Sequence, residues 1–230
     1  MKNILLIVST IILGLLTSCS NDDSNPDEAP LQLIKVYEQI TMGTEIFSEG
    51  TVEYTYGLNG YLRLFTASNF SNKYLYNEND QLTELILTTE SHGQSSSFYS
   101  YDEELITQSF DTVTDSKIFY EYNNNSQLVR VYHPYNDIRY EYDTKGNVSA
   151  IIVDSEIYNR FLYDDMKNPF SLLFPDAYNK IRGISYHNKI YSERDKEKTI
   201  FEYNENKYPV TSTKTIAGGY VIKREYYYNR

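Results

Sequence analysis

Side chains that could carry catalysis are present in this sequence, but they are not spaced like a common active site. The three histidines, His92, His133 and His187, lie far apart, whereas zinc sites use patterns such as HExxH or His-x-His. Ser185 lies two residues before His187, without the G-x-S-x-G turn that exposes a nucleophilic serine. A glycine-rich phosphate loop is also absent. The sequence therefore predicts no catalytic residue, no metal site and no cofactor.

Carboxylates are abundant, and they leave one enzymatic alternative open. Glutamates flank several tyrosines of a recurring pattern, at Glu53, Glu121, Glu141 and Glu202. A glycosidase needs two carboxylates that face each other across a cleft at about 5–10 Å. On a strand, a glutamate between two tyrosines points to the opposite face from them. These acids therefore predict a charged solvent face, and a glycan-active hydrolase ranks below the non-catalytic alternatives.

The single cysteine, Cys19, follows a short apolar segment. After Lys2, the segment Ile4–Leu16 has thirteen residues, or about 20 Å of helix, which is too short for a stable bilayer crossing. A basic start and a short apolar run are typical of a secretory signal peptide. The sequence Leu16-Thr17-Ser18-Cys19 resembles the bacterial lipobox, whose cysteine is diacylated and becomes the first mature residue. The resemblance implies a signal peptide over 1–18 and membrane lipid as a partner through acylated Cys19.

The stretch from residue 19 to residue 30 is polar and acidic, and it shows no periodicity. Such a composition predicts a flexible tether. The stretch resembles the acidic export signal that follows the cysteine in surface lipoproteins of the Bacteroidetes. This resemblance implies an outer-membrane lipoprotein exposed at the cell surface, with the periplasmic face as the alternative.

Composition separates the remaining chain from disordered and nucleic-acid-binding proteins. The 230 residues include 32 acidic and 21 basic side chains, and the formal net charge of −11 argues against a nucleic-acid partner. Hydrophobic residues make up 40 % of the chain, with 25 tyrosines and no tryptophan. Tyrosine favours strands, where its ring packs on the sheet. Residues 31–230 are therefore predicted to form a single folded β domain.

An aromatic-x-Tyr pattern recurs through this domain. Its second tyrosines are Tyr56, Tyr76, Tyr101, Tyr122, Tyr142, Tyr163, Tyr203 and Tyr228. They are 20–25 residues apart, except for one interval of 40 after Tyr163 in which a unit lacks its aromatic pair. Most are followed by a turn-forming run rich in Asn, Asp or Gly and then by an apolar residue. Each unit therefore predicts a β-hairpin whose two rings lie on the same face. These tyrosines are candidates either for ligand binding or for packing between repeats.

About sixteen strands are too many for one open twisted sheet. The predicted fold is all-β, an antiparallel meander of repeated hairpins in a strongly curved sheet, either a roll or a barrel. The interval without an aromatic pair leaves room for a long loop or one short helix near residues 170–182.

Two resemblances to known proteins rest on these motifs. The segment Tyr140–Val148 resembles the tyrosine-aspartate (YD) repeat of Rhs-type proteins, although most units depart from this form, with Asn replacing Asp at Asn77, Asn123 and Asn204 and Gly often absent. With the lipobox, the segments Tyr163–Phe170 and Glu202–Val210 resemble a family of Bacteroidetes lipoproteins of unknown function. These motifs imply hairpins rather than an activity. The favoured hypothesis is a non-catalytic binding module for an envelope protein or a glycan, and a structural envelope protein is the alternative.

Overall fold

Sixteen strands follow one another along the chain and close into a barrel in the computed structural model, which describes residues 31–133 and 136–229. They are β1 (Leu33–Met42), β2 (Glu45–Tyr56), β3 (Leu62–Thr66), β4 (Phe70–Tyr76), β5 (Leu82–Thr89), β6 (Gly93–Asp102), β7 (Leu105–Asp111), β8 (Ser116–Tyr122), β9 (Leu128–His133), β10 (Asn136–Tyr142), β11 (Val148–Val153), β12 (Glu156–Lys167), β13 (His187–Ser192), β14 (Glu197–Tyr203), β15 (Pro209–Thr215) and β16 (Tyr220–Tyr228). Each strand pairs antiparallel with its chain neighbours, and β16 pairs with β1. The predicted all-β antiparallel meander is confirmed.

One segment departs from the meander, as the sequence predicted. Between β12 and β13 the chain forms a 3-10 turn (Pro169–Leu172) and a short helix, α1 (Asp176–Ile181). The predicted signal peptide, the lipidated Cys19 and the tether up to residue 30 lie outside the described residues, so these three stay predictions. In the described part of the chain, no helix is long and apolar enough to cross a membrane.

The turns that follow the repeat tyrosines share one hydrogen-bond pattern. In the turn after Tyr122, the Asn123 backbone N–H donates to the Gln127 carbonyl at 3.0 Å. The Asn123 Oδ1 accepts from the backbone N–H groups of Asn125 at 2.9 Å and Gln127 at 3.0 Å. Asp143 makes the same bonds through its carboxylate. Either side chain supplies the required acceptor, so the exchange of Asp for Asn leaves the turn unchanged.

We expect the substitution Asn123→Ala to lower the free energy of unfolding by about 1–2 kcal/mol, because two turn N–H groups lose their acceptor. The matched control is Asn123→Asp, which restores the form found at Asp143 and should cost much less. Chemical denaturation followed by circular dichroism measures both values. Equal losses in the two variants would contradict the acceptor role.

The helical segment closes one end of the barrel interior. The backbone N–H of Leu62 donates to the carbonyl of Leu173 at 2.8 Å, which ties the segment to the start of β3. Phe174 and Tyr178 are buried and contact each other with ring centroids 4.8 Å apart. Tyr74 on β4 packs on Phe174 at 4.9 Å. This segment, Pro169–Ile181, is called the plug below.

The outer face of the barrel carries charges. Glu121 is exposed between two inward tyrosines and pairs with Arg130 on the next strand at 3.3 Å. Arg130 also pairs with Asp137 on β10 at 2.8 Å, and Arg139 lies 3.7 Å from the same carboxylate. These ion pairs cross three neighbouring strands. On β8 and β10 the alternation therefore places the repeat tyrosines inside the barrel, and on β8, β9 and β10 it places these charged groups outside.

Candidate functional site

The repeat tyrosines predicted as site residues lie half-buried on the inner face of the barrel. Six of the eight donate a hydroxyl hydrogen bond to a carbonyl at the start of the preceding strand. These bonds are Tyr56 to Leu33 at 2.7 Å, Tyr76 to Leu62 at 2.7 Å, Tyr101 to Leu82 at 3.1 Å, Tyr122 to Ile106 at 2.7 Å, Tyr142 to Leu128 at 2.7 Å and Tyr228 to Pro209 at 2.8 Å. The rings therefore link neighbouring strands around the barrel.

These hydroxyls are held in their neutral form. Burial raises the pKa of Tyr101 and of Tyr142 to about 12, against the small opposing effect of the hydrogen bond to the backbone carbonyl. Burial also raises the pKa of Tyr56 and Tyr76. A phenol that is neutral and already bonded to the wall of the barrel has no free proton to offer a ligand.

The remaining two repeat tyrosines flank the plug, and their hydroxyls lie near polar side chains. Tyr203 donates to the carboxylate of Asp164, which also accepts the backbone N–H of Asn188 at 3.2 Å. Burial raises the pKa of Tyr163, and the nearby side chain of Ser185 opposes this effect. Among the described residues, Tyr163 and Tyr203 therefore lack the hydroxyl-to-carbonyl bond to the preceding strand. They stand on either side of the unit without an aromatic pair.

The barrel wall is weakly paired at this unit. Strands β13 and β14 share only two residue pairs, Tyr191 with Lys198 and Ser192 with Glu197. On its other side, β14 pairs with β15 along its whole length, from Lys198 to Tyr203. The two strands therefore separate toward the plug, and we call the gap between them the seam.

A cavity of about 490 Å³ lies inside the barrel next to the seam. Its aromatic lining comes from Tyr54, Phe65, Phe170, Phe174, Phe201, Tyr74, Tyr163, Tyr191 and Tyr226. Its polar lining includes Asn72, Ser185, Asn188, Ser192 and Thr199. A volume between about 300 and 1,000 Å³ with rings and a few polar groups is typical of a small-molecule site.

Charged side chains also line this cavity, and some of them take part in two ion pairs. Lys214 forms an ion pair with Glu197 at 2.6 Å. Arg224 forms an ion pair with Glu38 at 2.7 Å. Both pairs join inward positions on strands of the barrel wall. Neither carboxylate is left free to act as a general acid.

Two further cations in the cavity have no carboxylate partner among the residues that the structure describes. Lys189 on β13 places its Nζ 4.6 Å from the centre of the Phe161 ring. Burial lowers the pKa of Lys189, and the nearby positive charge of Lys214 adds to this effect, against the attraction of Glu197 and Asp195. Arg182 follows α1 and also lines the cavity. The cavity therefore carries an excess of positive charge inside a protein of net negative charge.

Ser185 and His187 do not form a catalytic pair. The Nδ1 atom of His187 lies 3.0 Å from Oδ1 of Asn147. Ser185 Oγ accepts the backbone N–H of Val148 at 3.4 Å. Within the described ranges, no three His, Cys, Asp or Glu side chains converge as metal ligands. The polar groups of this region link the start of β11 to the chain that enters β13.

Sequence reasoning missed the cavity and its charges. Arg224 stands two residues before the inward Tyr226, so its position inside the barrel was readable from the repeat. Glu197 and Phe201 are likewise on one face of β14. The inward position of Lys189 could not be predicted in this way. Its unit has no aromatic pair to show which residues of the strand face inward.

Comparisons with known proteins identify a fold and no family. No family model and no curated protein matches the chain. A crystal structure of a porin-like protein from Bacteroides uniformis superposes with a TM-score of 0.55 and 11 % identity, over 87 % of this chain and 99 % of that one. The structure of TcdB2-TccC3-TEV reaches a TM-score of 0.34 and 14 % identity, over 85 % of this chain and 11 % of that one, which is below a shared fold. The chain is thus similar in fold to a porin-like barrel.

Proposed function

We propose that this protein is a non-catalytic binding module of the outer membrane, held there as a lipoprotein and displayed at the cell surface. The observation that carries the proposal is the cavity beside the seam, with its aromatic lining and its two unpaired cations. The carboxylates of Glu197 and Glu38 are ion-paired, which favours binding over acid-base catalysis by these two groups. The resemblance of Leu16–Cys19 to a lipobox supports the same cellular location.

The charged outer face favours a barrel that stands in water rather than in the bilayer. A membrane barrel presents an apolar band to lipid and uses strands of about 9–11 residues. Here β10 has seven residues, and its outward side chains are Asp137, Arg139 and Glu141. Placing such charges in lipid costs roughly 2–4 kcal/mol for each basic residue at the midplane. Attachment to the membrane would then fall to Cys19.

We expect Cys19→Ala to abolish incorporation of labelled fatty acid and to move the protein out of the membrane fraction. Metabolic labelling and fractionation measure the two effects. The matched control is Ser20→Ala, which alters the neighbouring residue and should keep both the label and the membrane location. Labelling that persists in the Cys19 variant would overturn the lipoprotein assignment.

The acidic run is tested separately from the lipid. Replacing Asp22 and Asp23 with Ala should change the protein from protease-accessible to protected in intact cells, if these residues direct export to the surface. Unchanged accessibility would leave the run as a tether only.

A structural envelope protein is the second candidate. The tyrosine hydroxyls favour it, because six of them bond the barrel wall rather than a ligand. Titration of the purified full-length protein with fractionated envelope glycans and envelope proteins separates the two candidates. Saturable binding that a cavity variant weakens supports the binding module, and its absence supports the structural role.

A further inference from the structure

We propose that the cavity binds an acidic saccharide, whose carboxylate pairs with Lys189 and whose sugar face packs on the aromatic rings, while Arg182 adds positive charge elsewhere in the lining. This inference rests on the proposed binding function and names the ligand class for it. The argument follows from the charges, the rings and the polar groups that share the cavity.

The charge balance of the cavity favours an anion. The Lys214–Glu197 and Arg224–Glu38 pairs are each neutral overall. Lys189 and Arg182 remain, and neither meets a carboxylate within the described part of the chain. Both side chains line the cavity and are exposed, so a ligand can reach them, and Lys214 adds its positive charge close to Lys189. A bound carboxylate would supply the missing charge through charge-assisted hydrogen bonds.

The aromatic lining favours a ligand with flat apolar faces. Phe201 on β14 and Tyr226 on β16 contribute rings to the same cavity as Tyr54 on β2. Rings of this kind pack against apolar surfaces such as the C–H face of a sugar. A bare inorganic anion would leave this surface unused.

The polar lining favours hydroxyl groups on the same ligand. Thr199, Asn188 and Asn72 place hydroxyl and amide groups among the rings. A fatty acid would leave the buried Asn72 Oδ1, which has no hydrogen-bond partner among the described residues, unsatisfied at a cost of about 1–3 kcal/mol. A polyhydroxylated ring with a carboxylate uses all three kinds of group that the cavity presents.

The seam lies beside this cavity and next to Lys189. Strands β13 and β14 are paired only through Tyr191 and Ser192, at the end away from the plug. Lys189 lies just beyond this paired stretch and is exposed on one side. A carboxylate that enters between the strands would meet Lys189 first.

The test is calorimetric titration of the purified full-length protein with digalacturonate as the acidic probe. Maltose serves as the neutral sugar, octanoate as the apolar acid and sulfate as the simple anion. We expect saturable binding of digalacturonate, with an affinity that falls as salt is added, and much weaker binding of the other three.

The variant Lys189→Gln should weaken digalacturonate binding by about ten- to a hundredfold, because it removes one charged hydrogen bond. Lys198→Gln is the matched control, since Lys198 lies on the adjacent strand, faces outward and should leave binding unchanged. Thermal melting of each variant confirms that it is folded. The variant Arg182→Gln should also weaken digalacturonate binding, and this second test does not depend on the seam.

Three outcomes would overturn the inference. Equal binding of maltose and digalacturonate, with no effect of Lys189→Gln, would show a neutral-sugar site and would leave the proposed binding function in place. Preferred binding of octanoate or of sulfate would assign another ligand class to the cavity. Failure of all four probes on folded protein would reject the acidic saccharide, while the envelope-fraction titration still decides the binding function.

Discussion

Raising the pH from 10 to 12 is expected to unfold the barrel in one cooperative step. An ordinary tyrosine ionises with a pKa near 10. Burial raises the pKa of Tyr101 and Tyr142 to about 12, and that of Tyr54, Tyr74 and Tyr99 also rises through burial. In this pH range the unfolded chain loses phenolic protons that the folded barrel retains.

The sign of the effect follows from this difference in proton binding. When the unfolded state binds fewer protons than the folded state, the free energy of unfolding falls as the pH rises. The stabilisation from each neutral phenol is complete below pH 10 and is lost as the pH approaches the folded-state pKa. Each tyrosine still protonated at pH 12 lowers stability by roughly 2 kcal/mol. Three such residues already match the lower end of typical domain stabilities, about 5 kcal/mol.

Tyrosinate absorbance and far-ultraviolet circular dichroism, recorded on the same sample, measure this transition. We expect both signals to change together, with a steep rise in absorbance as the strands are lost. The variant Tyr142→Phe removes one titrating group and keeps the ring, so it should release fewer protons in the transition. A gradual rise of tyrosinate absorbance with unchanged strand signal up to pH 12 would contradict the prediction.

Replacing Phe174 in the plug with Ala is expected to lower the free energy of unfolding by about 3–5 kcal/mol. The ring is 8 % exposed and packs on Tyr74 at 4.9 Å and on Tyr178 at 4.8 Å. Its removal leaves a cavity at the closed end of the barrel that the two tyrosines cannot fill without breaking contact. The loss exceeds that of a turn substitution because several ring contacts disappear together.

Equilibrium denaturation of Phe174→Ala and of the control Leu172→Ala measures the contribution of the plug. Leu172 belongs to the same segment but is 47 % exposed, so its truncation should cost much less. If the two variants were equally stable, the plug would be an appended loop rather than part of the core.

The hairpins could be predicted from the sequence because their determinants are local. Two rings spaced i, i+2 set the inward face, and the Asn or Asp after Tyr76, Tyr122 and Tyr142 organises the turn. The short helix could be placed because the repeat is interrupted there. Each of these features depends on residues fewer than about ten apart.

Closure of the barrel and the position of the cavity could not be predicted in this way. The same alternation occurs in an open roll and in a closed barrel, and only the pairing of β1 with β16 distinguishes them. The β12–β13 pairing next to the seam contains two register shifts, from Leu162 to Tyr163 and from Tyr163 to Lys167. These irregularities set which side chains near Lys189 face inward, and no local pattern encodes them.

Because the barrel closes on itself, the number of hairpin repeats in this protein is fixed. In an open solenoid, a unit can be added or lost at either end, and terminal units need a polar cap. Here β16 pairs with β1, and Asn229 bonds Gln32 through backbone N–H to carbonyl at 3.0 Å, so the first and last hairpins are neighbours. Duplication of one hairpin would widen the barrel rather than lengthen it, and the plug would then no longer fit its bore. The number of repeats is thereby coupled to the size of the plug, and the two can change in evolution only together.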